Sequence, residues 1–172
     1  MYLTLITDLY DHMEWADAIV WRGVMSAPSA QSDQKLTELF HHLHLVQHAY
    51  LQAWRGEPFG ATFPSFDNTE SLLAWGRSFY PRLADFLKGI SDEKLAQLFE
   101  IPWTEIVANE LGQTPAAITL GESMMQVPLH SHYHRGQINT RLRAAGREPP
   151  RVDYVVWVWL GRPKAQWPEG DR

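Results

Sequence analysis

Cysteine is absent from all 172 residues. Disulfides, thiolate metal ligands and cysteine nucleophiles are therefore excluded together. Positive charge is scarce as well. Fifteen Lys and Arg stand against 20 Asp and Glu, a net charge of -5, so the basic patch that nucleic-acid binding needs is missing. No apolar run approaches the roughly 20 residues that span a bilayer. Met1-Tyr2-Leu3-Thr4 has neither the basic stretch nor the cleavage site of a secretory signal. The chain also lacks a phosphate-binding glycine loop and a Ser-His-Asp arrangement. The expectation is a cytoplasmic domain with no nucleic-acid or membrane partner. Against this background two counts stand out, 8 His and 8 Trp. With 45% hydrophobic and 20% charged residues, the composition is that of an ordered chain with one core.

Periodicity predicts four long helices. In the first (1–27), Ile6, Leu9, Met13, Ala16, Val20 and Gly23 recur at spacings of three and four, up to a stop at Ser26-Ala27-Pro28. The second (32–55) starts after Ser32 as N-cap and aligns Leu36, Leu39, Phe40, Leu43, Val46, Tyr50 and Trp54. The third region (69–99) follows Asp67-Asn68-Thr69-Glu70, spaced as a capping box with Asp67 as the cap. Its stripe is Leu72, Trp75, Phe79, Leu83, Phe86 and Ile90, with a kink expected at Pro81 and a short helix after Ser91. Between Glu100 and Ile118 the pattern is lost, which predicts a β-hairpin or a long loop. The fourth helix (119–145) opens with the capping box Thr119-Leu120-Gly121-Glu122 and closes at Gly146. An apolar tail (146–172), rich in Val and Trp, has to pack on the rest. Long helices with long connections predict an all-α four-helix bundle in a single domain, 1–172.

Seven of the histidines cluster on two helices: His41, His42, His44 and His48 on the second, His130, His132 and His134 on the fourth. Residues four apart on a helix share a face, since four steps overshoot a turn by about 40°. His44 with His48 and His130 with His134 have that spacing. On the fourth helix His134 falls within the apolar stripe, His130 at its edge and His132 outside it. On the second, His42 and His44 flank the stripe on opposite sides, whereas His41 and His48 point away and read as surface residues. The pattern therefore selects His130 and His134 plus either His42 or His44. Imidazole is the commonest metal ligand, and bundles build metal sites from facing helices. Pro128, two residues before His130, removes a backbone bond to Met124 and reads as a distortion that aims the ligand.

Leu39-Phe40-His41-His42-Leu43 and the run His130-Ser131-His132-Tyr133-His134-Arg135-Gly136-Gln137-Ile138 resemble the metal-binding four-helix bundles of the DinB/YfiT-like superfamily. The HxxxHRGQ portion is the specific part. Asp153-Tyr154-Val155-Val156-Trp157-Val158-Trp159 resembles the tail of many members. The resemblance implies His42, His130 and His134 as ligands, because the second residue of a His-His pair matches the family position. Three imidazoles leave a divalent ion (zinc, nickel or iron) with an open position, unlike closed four-ligand structural sites. Carboxylates available to assist are Asp8, Asp11, Glu14 and Glu122. Similar members include transferases of low-molecular-weight thiols. The resemblance thus implies a metal-dependent enzyme, transferase or hydrolase, acting on a small thiol or related substrate. The alternative is a non-catalytic, stress-associated metal-binding module. Surplus aromatics, including Trp21, Trp75 and Tyr80, together with the tail around Trp157 and Trp159, predict a homodimer.

Overall fold

The computed structural model describes residues 2–58 and 64–169. Four long helices carry the fold: α1 (Tyr2–Met25), α3 (Gln34–Trp54), α4 (Thr69–Leu87) and α7 (Leu120–Ala144). The short helices are α2 (Pro28–Gln31), α5 (Asp92–Leu95), α6 (Thr104–Leu111) and α8 (Tyr154–Trp159). Strands β1 (Leu98–Phe99) and β2 (Ile118–Thr119) form one antiparallel pair, with Leu98 opposite Thr119. α7 packs against both α1 and α3, and α4 also touches both, so α1 and α3 lie on a diagonal. Among the described residues the fold is all-α apart from that small pair. Among the described residues no helix is long and apolar enough to cross a membrane.

The caps explain where the long helices begin. Thr119 and Glu122 form the complete capping box of α7, the hydroxyl accepting from Glu122 N and the carboxylate accepting from Thr119 N at 2.7 Å. Two other caps fall one residue later than the sequence suggested. Asp33, not Ser32, accepts from Leu36 N at the start of α3. Its other oxygen holds Arg141 of α7 at 2.6 Å, a tie that Ser32 lacks the charge to make. Asn68, not Asp67, caps α4 by accepting from Ser71 N at 2.8 Å. The segment between β1 and β2 holds a helix instead of a hairpin or loop. α6 buries no residue and stops at the left-handed Gly112 (φ 67°). A helix with no buried face leaves no apolar stripe to read.

Apolar residues pack into two clusters, one toward each end of the bundle. One gathers Trp15, Val20, Trp21, Phe40, Leu43, Leu72, Ile138 and Trp157. The other gathers Ile6, Tyr10, Met13, Leu51, Trp54, Phe79, Met124 and Val127. Between them lies a buried polar layer drawn from all four long helices: Asp17, His44, Gln47, Tyr80, Ser131 and Arg135. Asp17 accepts from Arg135 Nη1 at 2.7 Å, from the Tyr80 hydroxyl at 2.5 Å and from Gln47 Nε2 at 2.8 Å. Burial is tolerable for such groups only when their hydrogen bonds are made, and here nearly all are.

Pro128 leaves the Met124 carbonyl without its helical donor. The buried Tyr10 hydroxyl supplies the missing bond at 2.8 Å. Burial pushes the Tyr10 pKa well above its ordinary value, so the group stays a donor. Tyr10→Phe is accordingly expected to destabilise the fold by about 1–3 kcal/mol, the range for a buried acceptor left unpaired. Urea unfolding, compared with Tyr50→Phe as a control, measures this directly.

The tail folds back over α1. Trp157 is buried and donates to Pro163 O at 3.0 Å, and Trp167 donates to Glu14 at 3.1 Å. His12, on α1, binds Val152 O through Nε2 at 2.8 Å. Trp21 and Tyr80 are buried in the chain's own core, and Trp75 stacks on His48. These aromatics are not the surplus that the homodimer expectation assumed. In the tail, Val155, Trp159 and Leu160 stay exposed.

Candidate metal centre

α3 and α7 form the most extensively packed helix pair of the bundle, and their seam brings His42, His130 and His134 together. His130 and His134 are one turn apart on α7, so their rings stack up the same face. The His130 Nε2 atom lies 3.1 Å from His134 Nε2 and 3.3 Å from His42 Nε2. All three ligand atoms fall within 4.8 Å of one another. Two nitrogens each about 2.0–2.1 Å from one ion, at angles of roughly 90–110°, stand about 2.8–3.4 Å apart. The two short separations fall inside that window. A hydrogen bond accounts for either contact alone, but two nitrogens converging on the same Nε2 are better matched by a shared cation.

The protonation states agree with that donor set. Burial, reinforced by the His134 and His42 rings, lowers the His130 pKa to about 4. Burial first, then His134 and His41, lowers that of His42. Both rings are neutral near pH 7, the form a cation requires. Gln137 Oε1 accepts from His134 Nδ1 at 2.8 Å, which places the proton on Nδ1 and turns the Nε2 lone pair toward the other two rings. His130 Nδ1 is buried with no hydrogen-bond partner.

The remaining histidines are occupied elsewhere. His44 is buried in the polar layer, where Trp21 Nε1 donates to its Nε2 at 2.9 Å and its Nδ1 donates to Gln47 Oε1 at 2.8 Å. Both nitrogens are used, so His44 has no lone pair for a metal. His48 was expected at the surface and is in fact buried, donating from Nε2 to Trp75 O at 3.0 Å beneath the Trp75 ring. The reason is that α3 is covered on two sides, by α7 and by α4, so its buried arc is wider than its apolar stripe. His41 reaches Pro64 O, and His132 is exposed. The four carboxylates proposed as helpers do not approach the trio either. Glu122 caps α7, Glu14 holds Trp167, Asp8 meets Arg162, and Asp11 borders the tail.

Sequence reasoning missed Gln137, Arg135 and Asp17. The first two lie inside the HxxxHRGQ motif, which was the available signal. Asp17 gave none, because its place on α1 is recognisable only beside Arg135 of α7.

Among the described residues, Gly76 of α4 is the one glycine whose backbone presses on His44. A Cβ there would overlap the His44 ring at Nε2, Cδ2 and Cε1. Gly76→Ala is expected to push that ring off Trp21 and Gln47, at about 1–3 kcal/mol of stability for an overpacked core. Denaturant unfolding checks the loss. Near-ultraviolet circular dichroism should change as well, because Trp21 stacks on Phe40 and His44.

The DinB family model matches residues 1–166. Among solved structures, a DinB-like protein from Bacillus cereus ATCC 10987 is similar, with a TM-score of 0.58 and 16% identity over 88% of this chain and 95% of that one. At that identity the likeness carries the fold alone. No curated protein matches the chain.

Proposed function

The chain belongs to the DinB family, and from that premise we propose that His42, His130 and His134 hold one divalent ion, zinc, nickel or iron, at an open site for a small substrate. The observation that carries this reading is the convergence of three Nε2 atoms, 3.1 and 3.3 Å apart at the two closest pairs. An ion held there would supply a Lewis-acid position that lowers the pKa of a coordinated substrate atom. The chain's own part is to present three imidazoles, with His134 Nδ1 held by Gln137 Oε1.

α7 carries no acidic residue after Glu122, and the one acid of α3, Glu38, bonds Gln34 and Lys35, so the two helices that present the trio offer no carboxylate base beside it. A metal held there would lower the pKa of a coordinated thiol, which would lose its proton to solvent and serve as the nucleophile. The reading is a metal-dependent transferase of a low-molecular-weight thiol. One feature favours a non-catalytic metal-binding module instead. A groove of about 640 Å³ is lined mainly by α1, α5 and the start of α7 and includes none of the three histidines.

A thermal-shift series separates the two. Small thiols are expected to raise the melting temperature of the metal-loaded protein and leave the metal-free protein unchanged. Metal uptake with no response to any thiol would favour the binding module.

A further inference from the structure

We infer that the open side of the His42, His130 and His134 trio takes a ligand with an anionic, metal-coordinating head and an apolar body laid against Leu129 and Tyr133. The inference rests on the metal reading above and adds the class of ligand to it.

Two observations carry it. The first is a pair of large apolar side chains held in solvent beside the trio. Leu129 is 62% exposed and Tyr133 is 64% exposed. They are one turn apart on α7, so they share a face, and each immediately precedes a histidine of the trio. The Tyr133 ring meets the His134 ring edge-on, with centroids 5.1 Å apart at 83°. His42 completes the trio from the solvent side and is itself exposed. A ligand head bound at the trio therefore has an apolar wall within one ring's reach.

The second observation is charge. Among the described residues the group is made of histidines alone, with no carboxylate among its members. α7 has no acid after Glu122, and the buried Asp17 of the polar layer is paired with Arg135. A divalent ion held here keeps its full charge. An anionic donor from the ligand then gains a Coulomb attraction that no protein group has already satisfied.

The test uses the full chain loaded with zinc and two probes that share one head and differ in body, benzohydroxamate and acetohydroxamate. Calorimetric titration of the unaltered protein is expected to show at least about a fivefold preference for the aromatic probe, the scale of one aromatic contact. In Tyr133→Ala and Leu129→Ser the preference should fall below about twofold, with zinc stoichiometry unchanged. Equal binding of the probes, or a preference that survives both substitutions, overturns the inference while leaving the metal site standing. If a second copy of the chain covers this face instead, Tyr133→Ala alters the sedimentation coefficient and not the preference, which also overturns it. A chain that takes up no zinc overturns the metal reading and this inference with it.

Discussion

Replacing His130 with alanine is expected to abolish tight metal binding, with at least about a hundredfold loss of affinity. Structural zinc sites bind with about 10–16 kcal/mol over their ligand sets, so one ligand is worth several kcal/mol. His130 is the right residue for this test because its Nε2 lies within 3.3 Å of both partners, on two different helices. Its ring makes no hydrogen bond through Nδ1, so the substitution removes no other partner. The fold should survive, since the ring lies at the half-buried edge of the α3–α7 seam. His44→Ala is the contrasting variant. It should unfold at lower denaturant and yet, while folded, bind metal as before, since both its nitrogens serve the polar layer. Competition against a chromogenic chelator measures both affinities. Equal losses in the two variants would contradict the assignment.

The second large effect concerns the layer beneath the site. Asp17→Ala is expected to destabilise the protein by about 3–5 kcal/mol, the cost of leaving a buried charge without its partner. Arg135 loses its counter-ion, and Tyr80 and Gln47 lose their shared acceptor. For a chain of this length that corresponds to a melting temperature lower by roughly 6–20 °C. Arg135→Met alone should be comparably damaging, because it strands the carboxylate. The double variant Asp17→Leu with Arg135→Met should recover much of the loss, since apolar groups of similar size replace a buried pair at little net cost. Calorimetry on the unaltered protein, Asp17→Leu, Arg135→Met and the double variant closes the cycle. Strict additivity of the two single effects would mean that the residues do not act as a pair.

How much of this was legible in the sequence depends on whether the cause is local. The α7 capping box is four consecutive residues, and both of its reciprocal bonds form as the spacing implied. The His130 and His134 pairing follows from helical pitch alone. The partner on α3 was not fixed by pitch, because His42 and His44 both flank the apolar stripe. What separates them is the company each keeps across helices. His44 meets Trp21 of α1 and sits over Gly76 of α4, while His42 meets α7. The resemblance to a family supplied that choice; periodicity did not. The polar layer was invisible for the same reason. Asp17, Gln47, Ser131 and Arg135 are polar, so a hydrophobic stripe counts them as outward, and their complementarity exists only after four helices meet.

The central claim is that three imidazoles on two helices hold one metal. The most direct measurement is zinc, nickel and iron content per chain by mass spectrometry, on untagged protein after dialysis, beside the His42→Ala, His130→Ala and His134→Ala variants. The account predicts about one equivalent of a single metal in the unaltered chain, as expected for one three-ligand site, and almost none in each variant. Metal content that stays the same in all three variants, or a chain that holds none under conditions where free divalent ion is supplied, would contradict it.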